Sequence, residues 1–120
     1  MLNIRIIIRS YLKTLHSQVY FQDAPDTATY PYIVYDFVPI TDSGEERSDL
    51  ILEIDGWDNK DDTTVLETLM NTINQINKSV LSDADTTIVC FLDSKLPMTD
   101  TNPIINRRKY TYTCTIHGEE

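Results

Sequence analysis

Apolar residues recur near the start of the chain at positions 4, 7, 8, 11, 12 and 15 (Ile4, Ile7, Ile8, Tyr11, Leu12, Leu15). That spacing makes one stripe on a helix. The opposite face gathers Arg5, Arg9, Lys13 and His16 in a basic column. Ile4, Ile6 and Ile8 would also suit a strand, because β-branched side chains favour one. The period continues past Leu12 only on the helical reading, so a helix is expected. A short strand is expected over 19–21, ended by the turn chemistry of Ala24-Pro25-Asp26. Segment 31–40 (PYIVYDFVPI) is apolar on both faces and predicts a strand covered on two sides. Pro31 suits its first position or an edge, where the ladder needs no donor.

Segment 41–48 (TDSGEERS) reads as a polar turn with Gly44 free to take positive φ. Segment 49–58 (DLILEIDGWD) places Leu50, Leu52 and Ile54 on one face and Glu53 and Asp55 on the other. Gly56 interrupts that phase and Trp57 follows out of register, which predicts a bulge. Asp61-Asp62-Thr63-Thr64 then precede a second helix, with acids where the helix dipole favours them and a Thr64-x-x-Glu67 capping box. Leu66, Leu69, Met70, Ile73, Ile76 and Val80 would form its apolar face.

Two more strands are expected, over 86–92 and 109–117. The second alternates Tyr110, Tyr112, Cys114 and Ile116 with Thr111, Thr113, Thr115 and His117, the pattern of a half-buried strand. Between them, 93–108 is rich in Pro, Asn and Asp and includes Pro97 and Met98. It reads as a long loop, and structureless connections of that length are usually functional, so an assembly contact is expected there. The order α-β-β-β-α-β-β predicts an α+β fold. Its sheet should be mixed, largely antiparallel and of four to five strands, with two helices on one face. The strand–helix–strand passage over 50–92 suggests a right-handed crossover. One domain over 1–120 is expected, with a short flexible C-terminus at 118–120.

Composition agrees with a globular chain: 120 residues, 41% hydrophobic and 24% charged. No apolar run approaches the roughly 20 residues that cross a bilayer, and Ile6-Ile7-Ile8 is too short for a secretory signal. No membrane association is expected. Two cysteines are too few for a disulfide framework, so a reducing compartment is the default. The net charge of −9 argues against phosphate-backbone binding as the main task. That charge is unevenly placed: residues 1–22 carry +3, 23–62 carry −10 and 63–120 carry −2. A basic start and an acidic middle would suit head-to-tail contacts between copies. The plainer reading is that these charges solvate loops.

The tools of catalysis are missing. His16 and His117 stand apart from each other and from any metal-ligand spacing with Cys90 or Cys114. The two cysteines fall on adjacent expected strands, where they read as small buried hydrophobes. No phosphate-binding, dinucleotide-binding or nucleophile-elbow motif occurs. Asp55, Asp58, Asp61 and Asp62 are the densest carboxylate group, but they lack the ligand alternation of a Ca²⁺ loop and better suit a helix start. Arg107-Arg108-Lys109 could meet DNA phosphates or make a rim salt bridge to a neighbouring subunit. Trp57 and the tyrosines are expected in the core. No enzymatic activity, cofactor or metal is expected.

Ala24-Pro25, Tyr30-Pro31-Tyr32-Ile33-Val34-Tyr35, Leu52-Glu53-Ile54-Asp55-Gly56-Trp57-Asp58 and the Asp62-Thr63-Thr64 helix start occur here in that order. In combination they resemble the tail-completion, or tail-terminator, proteins of long-tailed phages and prophages, over about residues 10–80. Gly56 departs from the family pattern, where an apolar residue precedes the Trp. The resemblance implies a non-catalytic virion protein that forms a ring, usually a hexamer, at the head-proximal end of the tail tube. Such a ring ends tube polymerisation and receives the head connector, or stopper, while genomic DNA passes its lumen without specific binding. Before assembly the protein would sit in the host cytoplasm. Alternatives are another connector component, such as a stopper or adaptor, or a small unrelated binding module. Candidate interface residues are Arg5, Arg9, Lys13, Asp58, Asp61, Asp62, Pro97, Met98, Arg107 and Arg108.

Overall fold

The helical stripe, the alternating strands and the turn residues resolve into an α+β architecture. A computed structural model of the chain describes residues 2–42, 47–83, 86–99, 102 and 104–118. Helix α1 (Leu2–Leu15) leads into β1 (Val19–Phe21), β2 (Tyr32–Asp42) and β3 (Arg47–Asp58). Helix α2 (Thr64–Ile73) closes with a 3-10 turn over Asn74–Ile76, and β4 (Val80–Ser82), β5 (Thr86–Thr99) and β6 (Asn106–Gly118) follow.

The strands form one six-stranded sheet in the order β1-β2-β3-β6-β5-β4. Only β1 and β2 pair parallel; the other pairs are antiparallel. β3 and β5 run in the same direction with β6 between them, so the chain passes over the sheet through α2 to make that connection. One end of the sheet carries the row Tyr32, Trp57, Arg107 and Met98. The other carries Asp42, Ser48, Ile116 and Ile88. Long strands make the molecule elongated, at 46 × 23 × 23 Å.

Alternation divides the sheet into two faces. Ile33, Tyr35, Leu50, Leu52, Ile54, Cys90, Tyr112 and Cys114 are buried on one. Ile4, Ile8 and Leu12 of α1 join the same apolar cluster, as do Leu66, Leu69, Met70 and Ile73 of α2. Both helices therefore cover this face. Full burial of each such aliphatic side chain contributes about 1.5–3 kcal/mol. The other face has no helix among the described residues, and its Phe91, Leu96 and Val38 stay exposed.

Several expectations change. The sheet has six strands rather than four or five, and the order after the second helix gains β4. Val80 is not on the helix's apolar face but opens β4 at 64% exposure. The chain turns before it, at Lys78, whose φ is 64°. Of the segment expected to be covered on two sides, residues 32–38 are buried on one face only, because both helices lie on the side of Ile33 and Tyr35. The segment 93–108 is mostly strand: β5 extends to Thr99 and β6 begins at Asn106, with Pro97 opposite Arg108. Pro97 is tolerated because β4 pairs only as far as Val89, leaving this stretch of β5 an edge. The turn expected over 41–48 is shorter, since Thr41 and Asp42 belong to β2 and Arg47 and Ser48 to β3, and Gly118 of the C-terminus expected to be flexible belongs to β6; residues 43–46 and 119–120 lie outside the described residues.

No bulge occurs at Gly56. It pairs with Ile33 on one side and Arg108 on the other, in unbroken register. Leu50, Leu52, Ile54, Gly56 and Asp58 share the buried face, and Trp57 takes its proper place on the open one. Glycine is required there by close approach: a Cβ would stand 2.5 Å from Met70 Sδ and 3.1 Å from Leu66 Cδ1. The capping box also gives way to another arrangement. Asp62 Oδ1 accepts from Thr64 N at 2.9 Å and Thr64 Oγ1 at 2.6 Å, while Glu67 turns to Arg108.

Candidate functional site

Period-two alternation decides where the basic triplet points. Arg107 and Lys109 emerge on the open face, and Arg108 on the helix face. Opposite them β3 supplies Asp55 and Glu53, and α2 supplies Glu67. Arg107 Nη2 donates to Asp55 Oδ2 at 2.9 Å, Lys109 Nζ meets Glu53 Oε2 at 2.6 Å, and Arg108 Nε meets Glu67 Oε1 at 2.5 Å. All three bases are thus paired within the chain. Two acids of the strongly negative middle segment are neutralised in the same way.

Arg107 also lies 4.5 Å from the centroid of Trp57, and so covers its ring. Trp57 stacks on Tyr32 at 6.1 Å, Tyr32 meets Tyr20 edge-on at 6.3 Å, and Lys13 Nζ lies 6.0 Å over Tyr20. These contacts form a continuous aromatic–cation belt from α1 across β1, β2 and β3 to β6. Met98 sits beside Arg107 in the ladder and extends the row onto β5. Within the belt, Trp57 Nε1, Asp55 Oδ1 and Arg107 Nε are buried atoms without a hydrogen-bond partner among the described residues. Such atoms suit a surface that another molecule or ordered water completes.

The sequence placed Trp57 and the tyrosines in the core, and the structure moves Trp57, Tyr32 and Tyr20 to the half-buried open face. Trp57 lies on the open face because the strand runs through Gly56 without a break in phase. A legible signal existed in the matched spacing of Glu53-x-Asp55 and Arg107-x-Lys109, which fits cross-strand charge pairs.

The remaining candidates fall in two groups. Arg5, Arg9 and Lys13 are exposed on α1 beside β1. Arg5 lies 4.9 Å over the Phe21 ring, and Lys13 Nζ donates to the Ser17 carbonyl at 2.8 Å. Burial raises the Tyr35 phenol above its ordinary pKa, with Arg9 and Arg5 pulling weakly the other way. Asp58 ends β3 and is only 1% exposed; its Oδ1 accepts from Asn59 N at 2.8 Å, and its Oδ2 is unpartnered among the described residues. Asp61 and Asp62 are exposed at the start of α2, where hydrogen bonds from Thr64 hold the Asp62 carboxyl below its usual range.

The structure brings Asp58, Pro97, Met98, Arg107 and Arg108 to one end of the sheet, and Lys13 reaches that end through the tyrosines. Arg5 lies further along α1, toward Phe21. Beside Pro97 and Arg108 a groove of about 280 Å³ opens between α2 and β5, lined also by Glu67, Lys95, Leu96 and Tyr110. Lys95 Nζ lies 5.2 Å over the Tyr110 ring. Among the described residues, no three His, Cys, Asp or Glu side chains are grouped to hold a metal ion, and no helix is long and apolar enough to cross a membrane.

No protein-family model and no curated protein matches the chain. Solved structures do. One, of a protein with no descriptive name, superposes with a TM-score of 0.72 at 11% identity, over 98% of this chain and 95% of the other. A second comes from the virion of a native gene transfer agent (GTA) particle, with a TM-score of 0.67 at 10% identity, over 89% of this chain and 84% of the other. At these identities the likeness is one of fold, and it spans nearly the whole chain.

Proposed function

We propose that the chain is a structural protein of a phage-type virion, joining the tail tube to the head connector as a homo-oligomeric ring, most simply a hexamer. It carries out no catalysis and takes no cofactor. The observation that carries this reading is the likeness of fold to a chain from a gene transfer agent virion. The motif series from Tyr30 to Thr64, resembling tail-completion proteins, points the same way.

Sheet geometry supports assembly by unlike surfaces. β1 covers β2 only at Ile33–Tyr35, and β4 covers β5 only at Thr87–Val89. Among the described residues the sheet is therefore open along β2 at one end and along β5 at the other. Contacts between different patches of identical subunits close into a ring when the rotation permits. The aromatic–cation belt and exposed Phe91 and Leu96 supply contact area beside the β5 edge. A ring of such acidic chains would repel DNA from its lumen, and in this reading the genome passes without specific contacts.

Electron microscopy of particles lacking the protein tests this reading. Over-length tubes without heads are expected; normal tails joined to heads would overturn it. Pull-downs with separate tail tube and portal preparations distinguish a terminator, retained by the tube, from a stopper or adaptor retained by the portal.

A further inference from the structure

Cys90 and Cys114 are direct partners in the β5–β6 ladder, and both are fully buried and free. Their Sγ atoms lie 2.8 Å apart. Directly opposed residues in an antiparallel pair have Cα atoms about 4.5–5.5 Å apart, inside the span that a disulfide bridges. Closure to the covalent distance of about 2.05 Å moves the sulfurs by less than about 1 Å. We propose that this pair is an oxidisable dithiol, closed to an intramolecular disulfide by small-molecule disulfides such as oxidised glutathione, and that the bond staples β5 to β6.

The two strands differ in access. β6 is flanked by β3 and β5 along its length. Beyond the β4 ladder, which ends at Val89, β5 is held by three contacts with residues 77–79: Lys78 N donates to the Cys90 carbonyl at 2.7 Å, Cys90 N to the Ser79 carbonyl at 3.5 Å, and Leu92 N to Asn77 Oδ1 at 2.8 Å. Release of these few contacts on the outer side of β5 exposes Cys90 before Cys114, which lies on a strand paired on both sides. Its thiolate attacks the small disulfide, forming a mixed disulfide and releasing one thiolate. Cys114 then loses its proton and attacks the Cys90 sulfur, expelling the second small thiol. Two protein thiols are oxidised, one small disulfide is reduced to two thiols, and no further oxidant is needed. In the closed fold, the contact with Cys90 and burial both hold the Cys114 thiol above its ordinary pKa. Reaction therefore waits on edge opening.

The test uses the full chain, purified reduced and incubated with oxidised glutathione in buffer and in mild urea. Acid quenching and intact mass follow. The expected product is lighter by about 2 Da, carries no glutathione and has lost both thiols. Proteolysis without reductant should yield a peptide joining residues 90 and 114. Urea below the unfolding midpoint should accelerate closure, and the oxidised protein should melt about 5–10 °C higher until dithiothreitol reverses the shift. Cys114→Ser should stop at a glutathione adduct on Cys90. Two free thiols under both conditions, glutathione on both cysteines, or disulfide-linked dimers would overturn the proposal.

Discussion

Met70 lies directly over Gly56, so that a Cβ at 56 would stand 2.5 Å from the methionine sulfur. The contact explains how a glycine sits near the end of a twelve-residue strand without breaking it. Gly56→Ala should destabilise the fold by about 1–2 kcal/mol, since overpacking outweighs the backbone entropy that alanine recovers. In a Met70→Ala background the added methyl should cost nothing or stabilise, because it enters the vacated space. Urea melts of the four proteins measure the coupling. Additive effects would mean that the helix does not rest on this glycine.

The guanidinium of Arg107 covers Trp57 while bonding Asp55. Trp57 is the only tryptophan, so its emission reports this arrangement alone. Arg107→Ala should shift that emission to the red and cost about 1–3 kcal/mol, because it uncovers the ring and strips Asp55 of its partner. Arg107→Lys, which keeps the charge but loses the planar face, should fall between. An unchanged spectrum in both variants would show that the ring is covered by something else.

These two sites also indicate what the sequence could reveal. The alternation of 110–117 and the stripe of α1 were plain, because one buried face imposes each period. The end of the sheet that carries the belt was not. Pro97 and Asn106 have the composition of a loop, and only the pairing of β5 with β6 makes strand of them. Leu96 and Met98, alternating with Lys95 and Pro97, were the local trace of it. Gly56 was legible as an exception but not in its cause, since the atom that requires it belongs to Met70, on the helix that follows. The acids of the middle segment gave a net charge and not their partners, which come from the far end of the chain.

Helix α2 is held at its start by Asp62 rather than by a box of Thr64 and Glu67. Asp62→Ala should therefore lower the thermal midpoint. Glu67→Ala should instead loosen Arg108, and its effect should fade with added salt. The folded Asp62 pKa is depressed. Its contribution is present above the unfolded pKa and disappears as pH falls through the folded value. Wild type and Asp62→Ala should thus converge at acid pH, and melts from neutral to acid pH test this. A gap that persists below both values would assign the effect to helix propensity rather than the carboxylate.

At the alkaline end the buried tyrosines set the limit. Tyr112 is fully buried, and its hydroxyl donates to Asn74 Oδ1 at 2.9 Å. Burial pushes its pKa far above the ordinary 10.0, and burial also raises Tyr35 and Tyr110. Above pH 10 the unfolded chain releases phenolic protons that the folded chain retains, so unfolding is favoured as pH rises. Tyr112 alone gives a slope of about 1.4 kcal/mol per pH unit in that window. Tyr112→Phe should cost about 1 kcal/mol at neutral pH, where Asn74 loses its donor. It should also flatten the alkaline limb by the share that Tyr112 contributes. Denaturant melts at stepped pH, read beside the phenolate absorbance near 295 nm, separate the two effects. A limb of unchanged slope in the variant would show that Tyr112 ionises in the folded state.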